Sequence, residues 1–217
     1  ICLLSVFSIN AQNNKENSKK EFETAEETFS KVYQDGKSES VAYAKGGYAD
    51  AIPPLLDLYK KDTSNKNVAF KLGVCYRNSR TSRKQAIPYF LKASTSVSDN
   101  YKGSSYKEKN APIITLYYLG DAYHLNYEFD KAMAAYQKYI AVMDEKNSTD
   151  KTLLAETNRR IEMCKTGKRL MAGPEKVKIQ NLGPNVNSAY ADYAPVLSAD
   201  QSHLFFTSRW QETTGGQ

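Results

Sequence analysis

Two stretches decide how this chain is read: Phe70–Ala93, "FKLGVCYRNSRTSRKQAIPYFLKA", and Tyr117–Ile140, "YYLGDAYHLNYEFDKAMAAYQKYI". Both open on Leu-Gly, at Leu72-Gly73 and Leu119-Gly120, and both place a tyrosine three residues after the glycine, at Tyr76 and Tyr123. An alanine follows in each, Ala86 and Ala132, with an aromatic four residues later, Phe90 and Tyr136. "GGYADAIPPLLDLYKK" repeats the second half of the pattern through Tyr48, Ala51, Leu55 and Leu58. The spacing has a mechanical reason. A glycine removes the side chain where one helix crosses the next, an alanine does the same from the other side, and the aromatics fill the space around the crossing. Such a unit cannot bury its apolar face alone, so at least three must stack.

The pattern extends outward from these stretches. Phe22, Ala25, Phe29 and Val32 follow i, i+3, i+7, i+10, an amphipathic helix ahead of the first full unit. After the last unit, Leu153, Leu154, Ile161, Cys164 and the region of Leu170 fall on one stripe of a closing helix. Over residues 21–171 the pattern resembles the tetratricopeptide repeat, whose units run to about 34 residues. Gly73 and Gly120 stand 47 residues apart. Most of the excess lies in Ser94–Asn110, "STSVSDNYKGSSYKEKN", read as a mobile connection or as a lid. Ile-Pro after the repeat alanine, at Pro53 and Pro88, predicts helices that begin just before each proline.

The resemblance implies that the first helix of each unit lines a concave face and binds protein partners. In that frame Asn67, Phe70, Lys71, Val74, Arg77 and Asn78 point into a groove from one unit. Ile114, Tyr117, Asp121, His124 and Leu125 do so from the next. Mixed polar and aromatic side chains of this kind suit an extended peptide or a partner helix. For Phe70 and Tyr117 a place in the core between units is the competing assignment.

Beyond Gly173-Pro174 the periodicity changes. Val177 and Ile179 alternate as in a short strand, and "APVLS" and "HLFFTSR" read as two strands joined by a turn on Asp200, with Ser198 beside it. The series "NLG", "NS", "YAPVLSAD", "LFFTSR" is similar to the opening blade of a Trp-Asp-like β-propeller of bacterial envelope proteins. The fold class expected is therefore mainly α, a tetratricopeptide-like stack followed by a short antiparallel β segment, the first, incomplete blade of a propeller. Repeats followed by this blade resemble periplasmic proteins of the outer-membrane-protein-A family, some of which serve type IX secretion and gliding. That resemblance implies envelope proteins as partners, peptidoglycan bound through a domain downstream of the chain, and a scaffold. The alternative is the N-terminal part of a propeller-containing hydrolase with its catalytic domain downstream.

At the other end, "ICLLSVFSINAQ" reads as the remnant of a secretory signal peptide. The division expected is thus 1–11 signal remnant, 12–20 polar tail, 21–171 repeats and 172–217 propeller start, in a periplasmic protein associated with the outer membrane. That apolar run is too short to span a bilayer. Composition argues against a nucleic-acid partner: 217 residues carry a formal charge of only +6, and the basic run "RNSRTSRK" has no aromatic platform beside it. Sixteen tyrosines against eight phenylalanines and one tryptophan suit helix seams whose outer ends stay wet. Cys75 and Cys164 fall on apolar helical faces, where a free thiol packs as a small hydrophobe. With only His124 and His203 to join them, no zinc site is expected, nor any other cofactor. Ser198 and Asp200 are turn chemistry and not a nucleophile pair, and no phosphate loop, zinc-protease or nucleophile-elbow motif occurs. The chain itself is expected to be no enzyme.

Overall fold

The computed structural model describes residues 2–33, 47–79, 82–143, 148–173, 176–184, 186–187 and 189–209. The chain divides into two compact units, Ile1–Gly173 and Pro174–Gln217. The first is helical and the second holds a small antiparallel sheet.

The first unit contains α1 (Cys2–Val32), α2 (Gly47–Lys61), α3 (Lys66–Asn78), α4 (Ala86–Ala93), α5 (Thr115–His124), α6 (Phe129–Ile140) and α7 (Ser148–Ala172). Each helix packs on the next, so α1/α2, α3/α4 and α5/α6 form three hairpins and α7 closes the series. The odd-numbered helices also meet one another. Lys71 of α3 pairs with Glu26 of α1, α3 touches α5, and Arg160 of α7 approaches Asp121 of α5. Two layers result, with α1, α3, α5 and α7 in one and α2, α4 and α6 in the other.

The predicted crossings are present. A Cβ on Gly73 would stand 2.6 Å from the Phe90 ring, and one on Gly120 would stand 2.5 Å from the Tyr136 ring. Ala51, Ala86 and Ala132 are fully buried, and Phe22, Ala25, Phe29 and Val32 are buried on the inner stripe of α1. A third crossing of the same kind was not foreseen: Gly167 of α7 lies under the ring of Phe129, which a Cβ would meet at 2.6 Å. It ends the buried stripe of α7. Thr157, Ile161 and Cys164 are buried, whereas Leu170, expected on the same stripe, is exposed because the chain of packing ends at Gly167. Cys75 and Cys164 are both buried and both free.

Two further expectations change. The helix around Pro88 begins just before it, at Ala86, but α2 begins at Gly47, with Pro53 and Pro54 inside it. A proline leaves the carbonyl four residues back without its helical donor. Here those carbonyls belong to Ala49 and Asp50, residues exposed to water, which explains why the helix tolerates both. The segment from Ser94 to Asn110 is not a loose connection. It joins β1 (Val97–Ser98) to β2 (Ala111–Pro112), which pair in parallel with Val97 opposite Ala111. The carboxylate of Glu108 gathers the loop by accepting from the backbone N–H groups of Lys102, Lys109 and Asn110, at 3.1, 3.0 and 2.9 Å.

In the second unit β3 (Asp192–Leu197) and β4 (Leu204–Ser208) form an antiparallel hairpin, Leu197 opposite Leu204. Asp200 is the hub of its turn. It accepts from Ser198 Oγ at 2.5 Å, from the Ser202 N–H at 3.2 Å and from Ser202 Oγ at 2.8 Å. The strict alternation of Ala194 and Val196 is broken by a bulge between Tyr193 and Val196, where Ala194 takes φ 49° ahead of Pro195. The expected strand through Val177 and Ile179 is absent: both residues are exposed and unpaired with either strand, so no ladder fixes them in extended pairing.

Candidate functional site

The eleven groove residues named from the sequence lie on α3, α5 and their flanks, but most of them do not face water. Asn67, Phe70, Lys71, Val74, Tyr117 and Asp121 are buried; this is the competing core placement for Phe70 and Tyr117, and it corrects the expectation of an open, polar face at the other four. Arg77, Asn78, Ile114 and His124 are half-buried, and Leu125 is exposed. The cause differs between the two halves of the layer.

On the α1/α3 half the cause is the segment between β1 and β2, which folds back over the helices. Tyr101 donates its hydroxyl to Asn67 Oδ1 at 2.6 Å, and its ring meets Phe70 edge-on at 6.1 Å. The Gly103 carbonyl accepts from Asn67 Nδ2 at 3.0 Å and from Lys71 Nζ at 2.8 Å. Tyr106 sets its ring against Phe22 at 5.8 Å, and Lys66 N–H donates to the Lys109 carbonyl at 3.0 Å. Gly103 is glycine for a local reason: a Cβ there would stand 2.5 Å from the Tyr101 hydroxyl, and Asn67 holds that hydroxyl in place.

Lys71 is only 1% exposed. Its ammonium pairs with the Glu26 carboxylate and lies 5.0 Å from the Phe22 ring centroid and 5.5 Å from that of Phe29. A buried ammonium between two ring faces, with one counter-charge and one carbonyl, has its donors engaged without water. Burial pushes its pKa below the usual lysine value, against the pull of Glu26.

On the α5/α7 half the cause is a charge cluster around Asp121. Arg77 donates to its Oδ2 at 2.7 Å and Tyr136 to its Oδ1 at 2.7 Å, while Arg160 approaches Oδ1 at 3.8 Å. Arg160 in turn donates through Nε to Glu156 at 2.9 Å. The Arg77 guanidinium lies over the Tyr118 ring at 4.8 Å, and its buried Nε has no hydrogen-bond partner among the described residues. The side chains of Arg77 and Arg160 keep 23% and 31% of their surface in water. Burial, together with the Asp121 carboxylate, raises the Tyr136 hydroxyl well above the usual tyrosine value. Burial and the positive Arg160 lower the pKa of His124, against the pull of Asp121.

The structure thus joins Asn67 to Lys71 through one carbonyl, and Arg77 to Asp121 through an ion pair. It adds Glu26, Tyr101, Gly103, Glu156 and Arg160, none of which the repeat pattern identified. Two signals for them were available. Glu26 sits among Phe22, Ala25 and Phe29 on an otherwise apolar stripe, and Tyr101 and Tyr106 are the two aromatics of a polar insertion. Among the described residues no group of His, Cys, Asp and Glu could hold a metal ion, and no helix is long and apolar enough to cross a membrane.

No family model matches the chain, and no curated protein does. Among solved structures it is similar to one titled crystal structure of MamA protein, at 20% identity and a TM-score of 0.37, over 65% of this chain and 75% of that one.

Proposed function

We propose that the chain is a non-catalytic scaffold of the cell envelope, binding protein partners through its helical unit. The observation that carries this reading is the repeated crossing, Gly73 on Phe90 and Gly120 on Tyr136, in consecutive hairpins of a layered helical stack. Stacks of this construction present a long face built from one helix of each unit, a geometry suited to protein surfaces and not to small-molecule chemistry. The apolar run at residues 1–11 supports export to the periplasm. The similarity of residues 181–209 to the start of a Trp-Asp-like propeller supports membership of an assembly at the outer membrane, of the kind that serves type IX secretion or gliding. In that reading peptidoglycan is held by a domain outside this chain.

Of the predicted groove residues Leu125 is the most exposed, next to the half-buried His124, which feels the charge of Arg160, so the binding test belongs there. The wild-type chain, immobilised, should retain a reproducible set of envelope proteins from a detergent extract. His124→Ala with Leu125→Ser should retain the fold, since changes at such positions move stability by about half a kcal/mol, and should lose part of that set. A folded wild-type chain that captures nothing specific would overturn the scaffold reading.

A further inference from the structure

We propose that the face formed by Asn67 and Lys71 is a binding site for a turned peptide segment, and that the chain's own residues 99–109 occupy it as a tethered ligand. This rests on the scaffold reading only in that it supposes protein partners; the site itself is argued from its contacts.

The segment is held in the way a bound peptide is held. Its recognition is a backbone carbonyl, that of Gly103, which accepts from an amide and from an ammonium at 3.0 and 2.8 Å. Any peptide offers such a carbonyl. Selectivity comes from the flanks. Two residues earlier the Tyr101 hydroxyl answers the remaining oxygen of the Asn67 amide at 2.6 Å, and three residues later Tyr106 lies against Phe22. The ring of Tyr101 folds so closely over residue 103 that only glycine fits there. The site therefore reads Tyr-x-Gly-x-x-Tyr in a backbone of two consecutive turns, closed by the Ser105 N–H on the Lys102 carbonyl at 2.8 Å and the Glu108 N–H on the Ser105 carbonyl at 3.0 Å. Asn67 and Lys71 are both buried beneath the segment, so their polar groups require an occupant at all times. The receptor half, α1 and α3, has its own packing through Phe22, Phe29, Phe70 and Leu72. The segment is also tied by the Tyr101 ring on Phe70, by the Lys66 N–H on the Lys109 carbonyl at 3.0 Å and by the exposed Lys109–Asp62 ion pair at 2.8 Å. A partner carrying the same three side chains, once bound elsewhere on the scaffold, would exchange with the tethered copy.

The experiment uses a strapless chain in which residues 100–109 are replaced by about four Gly and Ser residues, each able to span up to about 3.5 Å. The probe is a fluorescent synthetic peptide of residues 98–110. The strapless chain should bind it with a Kd in the micromolar range. Wild type should bind at least about 100-fold more weakly, because the tethered copy competes at an effective concentration of order millimolar. Asn67→Ala in the strapless chain should weaken binding about tenfold. A strapless chain that keeps its helical circular dichroism and takes up no peptide would overturn the proposal. If that chain fails to fold, Tyr101→Ala in the full-length chain decides instead. It loosens one end of the tethered copy without opening the loop. Uptake by this variant above the wild-type level supports the site, and equal uptake overturns it. Neither outcome bears on capture of envelope proteins at His124 and Leu125, so the two readings fail separately.

Discussion

Lys71 illustrates how far one position can depart from its local pattern. Its place on the helix, next to Phe70 and one turn from Asn67, fits an inward-pointing polar residue, and it does point inward, but into the protein. Removing Glu26 would leave a buried ammonium with only a carbonyl. Glu26→Ala should therefore destabilise the chain by about 3 kcal/mol, whereas Lys71→Met, which fills the same space without charge, should cost far less or nothing. Chemical denaturation of the two variants checks the order; equal losses would show that the charge pair is not what stabilises this spot. Acid acts at Asp62 and Glu156. The hydrogen bond from Lys109 holds Asp62 down to about 2, and that from Arg159 holds Glu156 down to about 2. Both folded values lie below the unfolded ones of 3.8 and 4.5. Their contributions are complete above pH 4.5 and are lost as pH falls towards 2. Urea midpoints should fall most steeply below pH 5, where these two carboxylates take up protons, and Lys109→Met with Arg159→Met should flatten that acid limb.

The hairpin elements were legible because glycine and a large ring must meet wherever two helices cross this closely. Gly73 with Phe90 and Gly120 with Tyr136 could be paired from spacing alone. Gly120→Ala should accordingly cost about 1–3 kcal/mol, since the Tyr136 ring cannot retreat while its hydroxyl is tied to Asp121. At roughly 2–4 °C per kcal/mol the melting midpoint should drop by several degrees, and Tyr136→Leu on top of Gly120→Ala should recover part of it. An unchanged midpoint would mean that the crossing has room for a methyl group. What periodicity could not reveal is contact between parts distant in sequence. Asn67 and Lys71 look like surface residues until a loop more than thirty positions later covers them, and nothing within α3 encodes that loop. Asp121 is covered by Arg77, Tyr136 and Arg160, the last from α7, whose buried stripe stops at Gly167 before Leu170. In the hairpin of β3 and β4, the bulge at Ala194 is equally invisible to an alternation rule. Ala194→Gly should ease its positive φ and leave the pairing intact.

For the whole molecule, the division at Gly173 predicts autonomy of the helical unit. A chain ended after Gly173 should keep the helical ellipticity and melting midpoint of the full chain, because a lone two-stranded hairpin adds little stability of its own. A lower midpoint would reveal that the second unit supports the first. Within the helical unit, stability need not be uniform, since stacked hairpins touch only their neighbours and the last can fray before the middle. The two buried thiols turn this into a built-in clock. Cys75 sits in the middle of the stack and Cys164 on its closing helix, and burial raises the pKa of both. Neither can meet a thiol reagent in the closed state, so each labelling rate times the opening of its own neighbourhood. In a chain carrying Cys2→Ser, Cys164 should be labelled first and Cys75 much later; a single shared rate would mean that the seven helices open as one.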